Sequence, residues 1–138
     1  MIMVIAGHTK RIAFYCRMNH RDMDNSQFLD EVKSLLDQKY GKENWELNLY
    51  FEVASGTDPN RRKFNELKAD IKAGKIEGVV SVSASMIARD WQQFMEFMKI
   101  CEKAQVEVSC IRGLDDAAEI YQRICTFVAA YAERRSSE

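Results

Sequence analysis

Three arginines raise the chemical question in this 138-residue chain. Arg17 follows the apolar run Ile12-Ala13-Phe14-Tyr15. Arg61 follows the turn-rich stretch Ser55 to Asn60, and Arg89 lies shortly beyond the β-rich run Ile76 to Val82. Guanidinium groups gathered at one place can hold a phosphate or another anion through forked hydrogen bonds. When a hydroxyl attacks a phosphodiester, negative charge builds on the nonbridging oxygens, and such a cluster stabilises it without a metal. That reaction also needs a nucleophile. A carboxamide cannot serve, because its nitrogen has no lone pair for attack on phosphorus and does not deprotonate near neutral pH. The plainer alternative is that each arginine pairs with a local carboxylate at a solvated edge, with Asp22, Asp58 and Asp90 as candidates.

Other groups offer no substitute. Ser26 stands where a helix begins and reads as an N-cap or first-turn residue. Ser83 and Ser85 have no neighbouring histidine or carboxylate in the sequence to activate them. Cys16 alternates with Arg17 along a strand, so its side chain should enter the opposite, buried face. His20 is a lone loop histidine, and His8 has no evident partner. Cys16, Cys101, Cys110 and Cys125 lack the close spacing of a zinc site or redox pair and are expected to be buried, reduced thiols. No metal and no cofactor is expected.

The elements that must position these residues follow from periodicity. Arg11 to Cys16 reads as a first strand. Asp24-Asn25-Ser26 supplies capping candidates before a helix marked by Phe28, Leu29, Val32, Leu35 and Leu36, which Gly41 ends. Glu46 to Val53 alternates apolar and polar residues and reads as a second strand. A helix carrying Phe64, Leu67 and Ile71 closes at Gly74. Ile76 to Val82 reads as a third, central strand. The stripe Trp91, Phe94, Met95 and Met98 marks a helix packed on the core, Val106 to Ile111 a fourth strand, and Asp115 to about Arg134 a last helix. Strands alternating with helices predict one α/β domain, a mainly parallel sheet of four to five strands with helices on both faces. The loops Arg17 to Asn25, Ala54 to Asn60 and Ser83 to Ala88 then open on one edge of the sheet.

In order and spacing these pieces resemble the catalytic domain of serine recombinases, the resolvase/invertase family, over Arg11 to Tyr131. The family's first strand carries Tyr-x-Arg-x-Ser, ending in the nucleophile; here the run is Tyr15-Cys16-Arg17-Met18-Asn19. Its Ser-Gly-Thr and following arginine are matched by Ser55-Gly56-Thr57 and Arg61. Its Ala-Gly-Lys-like turn is matched by Ala73-Gly74-Lys75. Its Lys-x-Asp-Arg-x-Ser-Arg segment is matched by Ser83-Ala84-Ser85-Met86-Ile87-Ala88-Arg89, which keeps the last arginine alone. The resemblance thus implies three charge-stabilising arginines, Arg17, Arg61 and Arg89. It puts Asn19 at the nucleophile position, Ser85 at the acidic position and Met86 at a fourth arginine position. A domain linked to DNA recombination of mobile elements is implied, with strand exchange expected to be lost.

Composition bounds the remaining expectations. A net charge of −1 gives no broad attraction to nucleic acid, so DNA contact is expected through a partner or a further domain. The last helix carries more apolar surface than one side of a sheet needs. With the resemblance, this implies a homodimer, or a heterodimer with an active recombinase, through Asp115 to Tyr131. Residues 1–9 read as an extension before a domain of residues 10–138. Met1 to Ala6 is too short for a signal segment, no window approaches a membrane span, and a cytoplasmic location is expected. Two alternatives stay open: an active recombinase with an atypical site, and an anion-binding α/β module.

Overall fold

The first apolar run becomes the strand around which the sheet is laid out. The computed structural model of the chain describes residues 9–18, 26–54, 58, 60–112 and 116–137. Strand β1 (Lys10–Met18) pairs in parallel with β2 (Trp45–Val53) over nine residues, from Lys10 opposite Trp45 to Met18 opposite Val53. Its other edge pairs in parallel with β3 (Gly78–Ser81), which pairs in parallel with β4 (Glu107–Cys110). Among the described residues the sheet has four strands in the order β2-β1-β3-β4. The expected strand Arg11 to Cys16 is therefore extended at both ends, and Arg17 lies inside β1 rather than in the loop after it. The third and fourth strands are shorter than expected, because parallel pairing spans only four residues at each of those edges.

The helices are α1 (Ser26–Tyr40), α2 (Arg62–Lys72), α3 (Ala84–Ile87), α4 (Trp91–Lys103) and α5 (Ala117–Ser137). The chain leaves β1 toward β2 in one direction, and β3 toward β4 in the other. Right-handed crossovers made in opposite directions place helices on opposite faces. Val32 and Leu36 of α1 bury against Ile12, Phe14, Cys16, Val80 and Val82. Phe64, Leu67 and Ile71 of α2, Phe94, Phe97, Met98 and Cys101 of α4, and Ala117 and Tyr121 of α5 pack with Ala13, Tyr15, Tyr50 and Val79. The alternation of β1 divides the two cores, so Cys16 and Arg17 face opposite sides, as their adjacency requires. Helices α1 and α2 end at Gly41 and Gly74, whose φ values of +91° and +76° suit glycine.

Several local expectations are corrected. The third loop contains α3, nucleated when the Ser83 hydroxyl accepts from the Met86 N–H. Trp91 is 62% exposed instead of packed in the core, because it is the first residue of α4, directly after the Asp90 cap. On β2, Leu49 and Val53 are exposed, since an edge strand outruns the helix that covers its neighbours. The last helix starts at Ala117, capped by Asp116, whose carboxylate accepts from the Ala118 N–H. Asn19, His8, His20, Asp22, Asp24, Asn25, Ser55-Gly56-Thr57, Pro59 and Asp115 lie outside the described residues. Cys16 and Cys101 are buried, whereas Cys110 and Cys125 are half-buried, and none of the four is in a disulfide.

Phe64 joins the larger core to the loops above it, with its ring 5.3 Å from Tyr15 and 5.1 Å from Phe97. Phe64→Ala is expected to cost about 3–5 kcal/mol in urea unfolding, against under about 0.5 kcal/mol for Leu49→Ala. Burial also pushes the Cys16 thiol up to about 11 and the Cys101 thiol up to about 12 from an ordinary 9.0. Folding keeps both protonated, so their stabilisation is whole below about pH 9 and is lost as pH rises through the folded values. The urea midpoint should fall steadily above about pH 9, and Cys101→Ala should flatten that fall.

Candidate functional site at the carboxyl edge of the sheet

Between β1 and β3 the connections change direction, and in open α/β sheets the crevice at that point is where ligands bind. The described parts of the sequence-predicted site meet there. Arg17 is 4% exposed. Its Nη1 donates to the Ala54 carbonyl at 3.3 Å and its Nη2 to the Ser85 carbonyl at 2.9 Å, so one side chain ties the ends of β1 and β2 to α3. Its backbone N–H, two residues beyond the β1–β3 pairing, donates to Met86 Sδ at 3.2 Å. Burial lowers the guanidinium's pKa, and the nearby Arg89 and Arg61 charges lower it further. The group still carries its charge at any ordinary pH.

Ser85 and Met86 occupy α3. Ser85 is exposed, and its hydroxyl lies 3.1 Å from that of Ser83. Met86 is half-buried against the α1-side core, and its thioether accepts a hydrogen bond and donates none. Arg89 is exposed at the mouth of a hollow of about 280 Å³ lined by Ser85, Trp91, Phe94, Ile120 and Ile124.

Arg61 differs from both other arginines. It is 1% exposed, and its guanidinium is committed within the chain. Nε donates to the Asp58 carbonyl at 3.2 Å. Nη1 donates to Tyr15 Oη at 3.0 Å and to the Ile87 carbonyl at 2.6 Å, and Nη2 to Gln93 Oε1 at 3.2 Å. Its plane sits 3.9 Å over the Phe64 ring. The pairing with the Asp58 carboxylate considered from the sequence is replaced by a bond to that residue's main chain.

Two residues central to this arrangement escaped sequence reasoning. Tyr15 is fully buried, and its hydroxyl donates to Glu52 Oε2 at 2.5 Å while accepting from Arg61. Burial foremost, then the bond to Glu52, push its phenol above the ordinary tyrosine range. Glu52 also accepts from the Lys63 N–H at 2.9 Å and the Phe64 N–H at 3.1 Å, so a carboxylate from β2 caps α2. The signal was present in the sequence: α2 opens Arg61-Arg62-Lys63 with no acid in its first turn and no capping side chain at Arg61. Such a helix start needs an anion from elsewhere. Among the described residues, no group of three or more His, Cys, Asp or Glu side chains is placed to hold a metal ion, and no helix is long and apolar enough to cross a membrane.

The fold has close relatives among solved structures. The N-terminal catalytic domain of TP901-1 integrase superposes with a TM-score of 0.67 at 15% identity, covering 93% of this chain and 98% of that one. A resolvase family site-specific recombinase from Streptococcus pneumoniae gives 0.57 at 20% identity, covering 94% and 90%. A serine recombinase from Sulfolobus solfataricus gives 0.56 at 16% identity, covering 94% and 87%. No curated protein matches the chain. The family model for the resolvase N-terminal domain matches residues 12–138, nearly the whole sequence. With the parallel sheet and that match together, the chain belongs to the resolvase N-terminal domain family.

Proposed function

We propose that this serine-recombinase domain, linked to site-specific DNA recombination, has lost strand exchange and works as a dimerisation or regulatory module. The residue set at the carboxyl edge carries this reading. Asn19 stands at the nucleophile position of the family pattern, and Met86 and Ser85, at its arginine and acid positions, lie against Arg17. Losing the nucleophile removes the covalent phosphoseryl route outright. Losing one charge stabiliser costs about a hundred- to a thousand-fold in rate. Met86 has no donor for a developing oxyanion, and the Ser85 carbonyl is occupied by Arg17. The Arg61 and Arg17 donors are largely consumed inside the fold, which leaves Arg89 as the solvent-facing charge of the three. DNA would then be reached through a partner or a further domain, in the cytoplasm, with residues 1–9 a short extension before the domain of residues 10–138.

The association half of the reading rests on α5. Ala117 and Tyr121 are buried against the chain's own core, while Phe127, Val128 and Tyr131 are 73%, 54% and 54% exposed. A further groove of about 650 Å³ between α4 and α5, lined by Trp91, Met95 and Val128 among others, continues that apolar face. A helix apolar on two sides is suited to one contact within its domain and one with a neighbour, a copy of itself or an active relative.

On a supercoiled plasmid the wild-type chain should give no nicking and no trapped protein–DNA adduct. Asn19→Ser alone should stay near background, and efficient cleavage by it would show that Ser85 and Met86 matter far less than argued. Light scattering should report a dimer, either of this chain or with an active relative. Phe127→Glu should shift it to monomer with an unchanged far-UV spectrum.

A further inference from the structure

We infer that Glu52, acting through Tyr15 and Arg61, is the positioning residue that sets the orientation of Arg17 at the carboxyl edge. The path is continuous and made of single bonds. Glu52 accepts the Tyr15 hydroxyl proton, and Tyr15 Oη accepts from Arg61 Nη1. The same Nη1 holds the Ile87 carbonyl at the end of α3. From α3, the Ser85 carbonyl and the Met86 thioether accept from Arg17 side chain and main chain. Its direction is fixed by proton count. Arginine can only donate and a tyrosine hydroxyl has one proton, so with Arg61 donating, that proton must go to Glu52.

The geometry gives Glu52 this role and not that of a helix cap alone. Lys63 and Phe64 N–H take one bond on each carboxylate oxygen, yet Oε2 also receives Tyr15, a contact that a cap does not need. Glu52 stands opposite Arg17 in the parallel register, so the two ends of the path lie on adjacent strands. Arg61 is buried with its charge, and a buried cation needs a satisfied shell; this shell is what fixes α3 in place. Arg61 is therefore a residue that shapes the anion-facing edge without facing an anion.

The inference rests on reading this edge as the site, but it is tested without DNA, so cleavage or its absence leaves it untouched. The full chain, labelled with 15N and with 13Cζ-tyrosine, is followed by NMR as wild type, Tyr15→Phe and Glu52→Gln. Tyr15→Phe keeps the ring and the cap but removes the hydroxyl. It should leave the Lys63 and Phe64 amides in place while raising solvent exchange of the Arg61 and Arg17 Nε–H groups by about tenfold. Glu52→Gln should do the same, move the Lys63 and Phe64 amides, and shift the Tyr15 Cζ signal. If Arg17 exchange is unchanged in Tyr15→Phe, or rises only in proportion to core amides such as Val79 and Val80, the positioning role is overturned. Should Glu52→Gln fail to fold, the Tyr15→Phe comparison decides alone.

Discussion

A guanidinium group with 1% of its surface exposed is the constraint around which the functional edge is arranged. Removing that charge from water is costly unless its donors are met, and hydrogen bonds to Asp58, Tyr15, Ile87 and Gln93 meet four of its five. Those partners belong to β1, α3, α4 and the segment before α2. Arg61 can be satisfied only when all of them are in register. The Phe64 ring beneath it adds an apolar and quadrupolar support that also belongs to the main core. Core packing and site geometry are thus one structure, with Glu52 closing the circuit by capping α2 and holding Tyr15.

Met86 joins the carboxyl edge of the sheet to the core on the α1 side. Its sulfur accepts the Arg17 N–H just where β1 runs past the end of β3, and its side chain packs on the α1-side core. A polarizable, unbranched side chain fills such a gap readily. The same atoms offer nothing to an oxyanion.

Helix α5 divides its residues between two tasks. Its first turns, with Ala117 and Tyr121, are part of the core, and Tyr121 also donates to Glu102 on α4. Farther along, the apolar side chains turn outward and border the α4–α5 groove. Exposed aromatic surface of that extent is unusual for a chain whose net charge of −1 adds little mutual repulsion between copies.

Much of this was legible in the residues themselves. Period-two runs and helical stripes located four strands and four long helices, since burial on one face imposes those periods on any sequence. The pattern from Tyr15 to Asn19, with Arg61 and Arg89, pointed to the family. That an asparagine such as Asn19 offers no nucleophilic hydroxyl also follows from its functional group alone. What the tertiary structure decided was the fate of each side chain. From the sequence, Arg17, Arg61 and Arg89 were equivalent cations. Only the crossing of β1, α2, α3 and α4 buries Arg61, half-engages Arg17 through α3 and leaves Arg89 in solvent. Glu52 looked like the polar step of an alternating strand, and its partners Tyr15, Lys63 and Phe64 lie 11 to 37 residues away. Hydrogen-bond partners at such separations are chosen by strand register and helix placement, which no local period encodes.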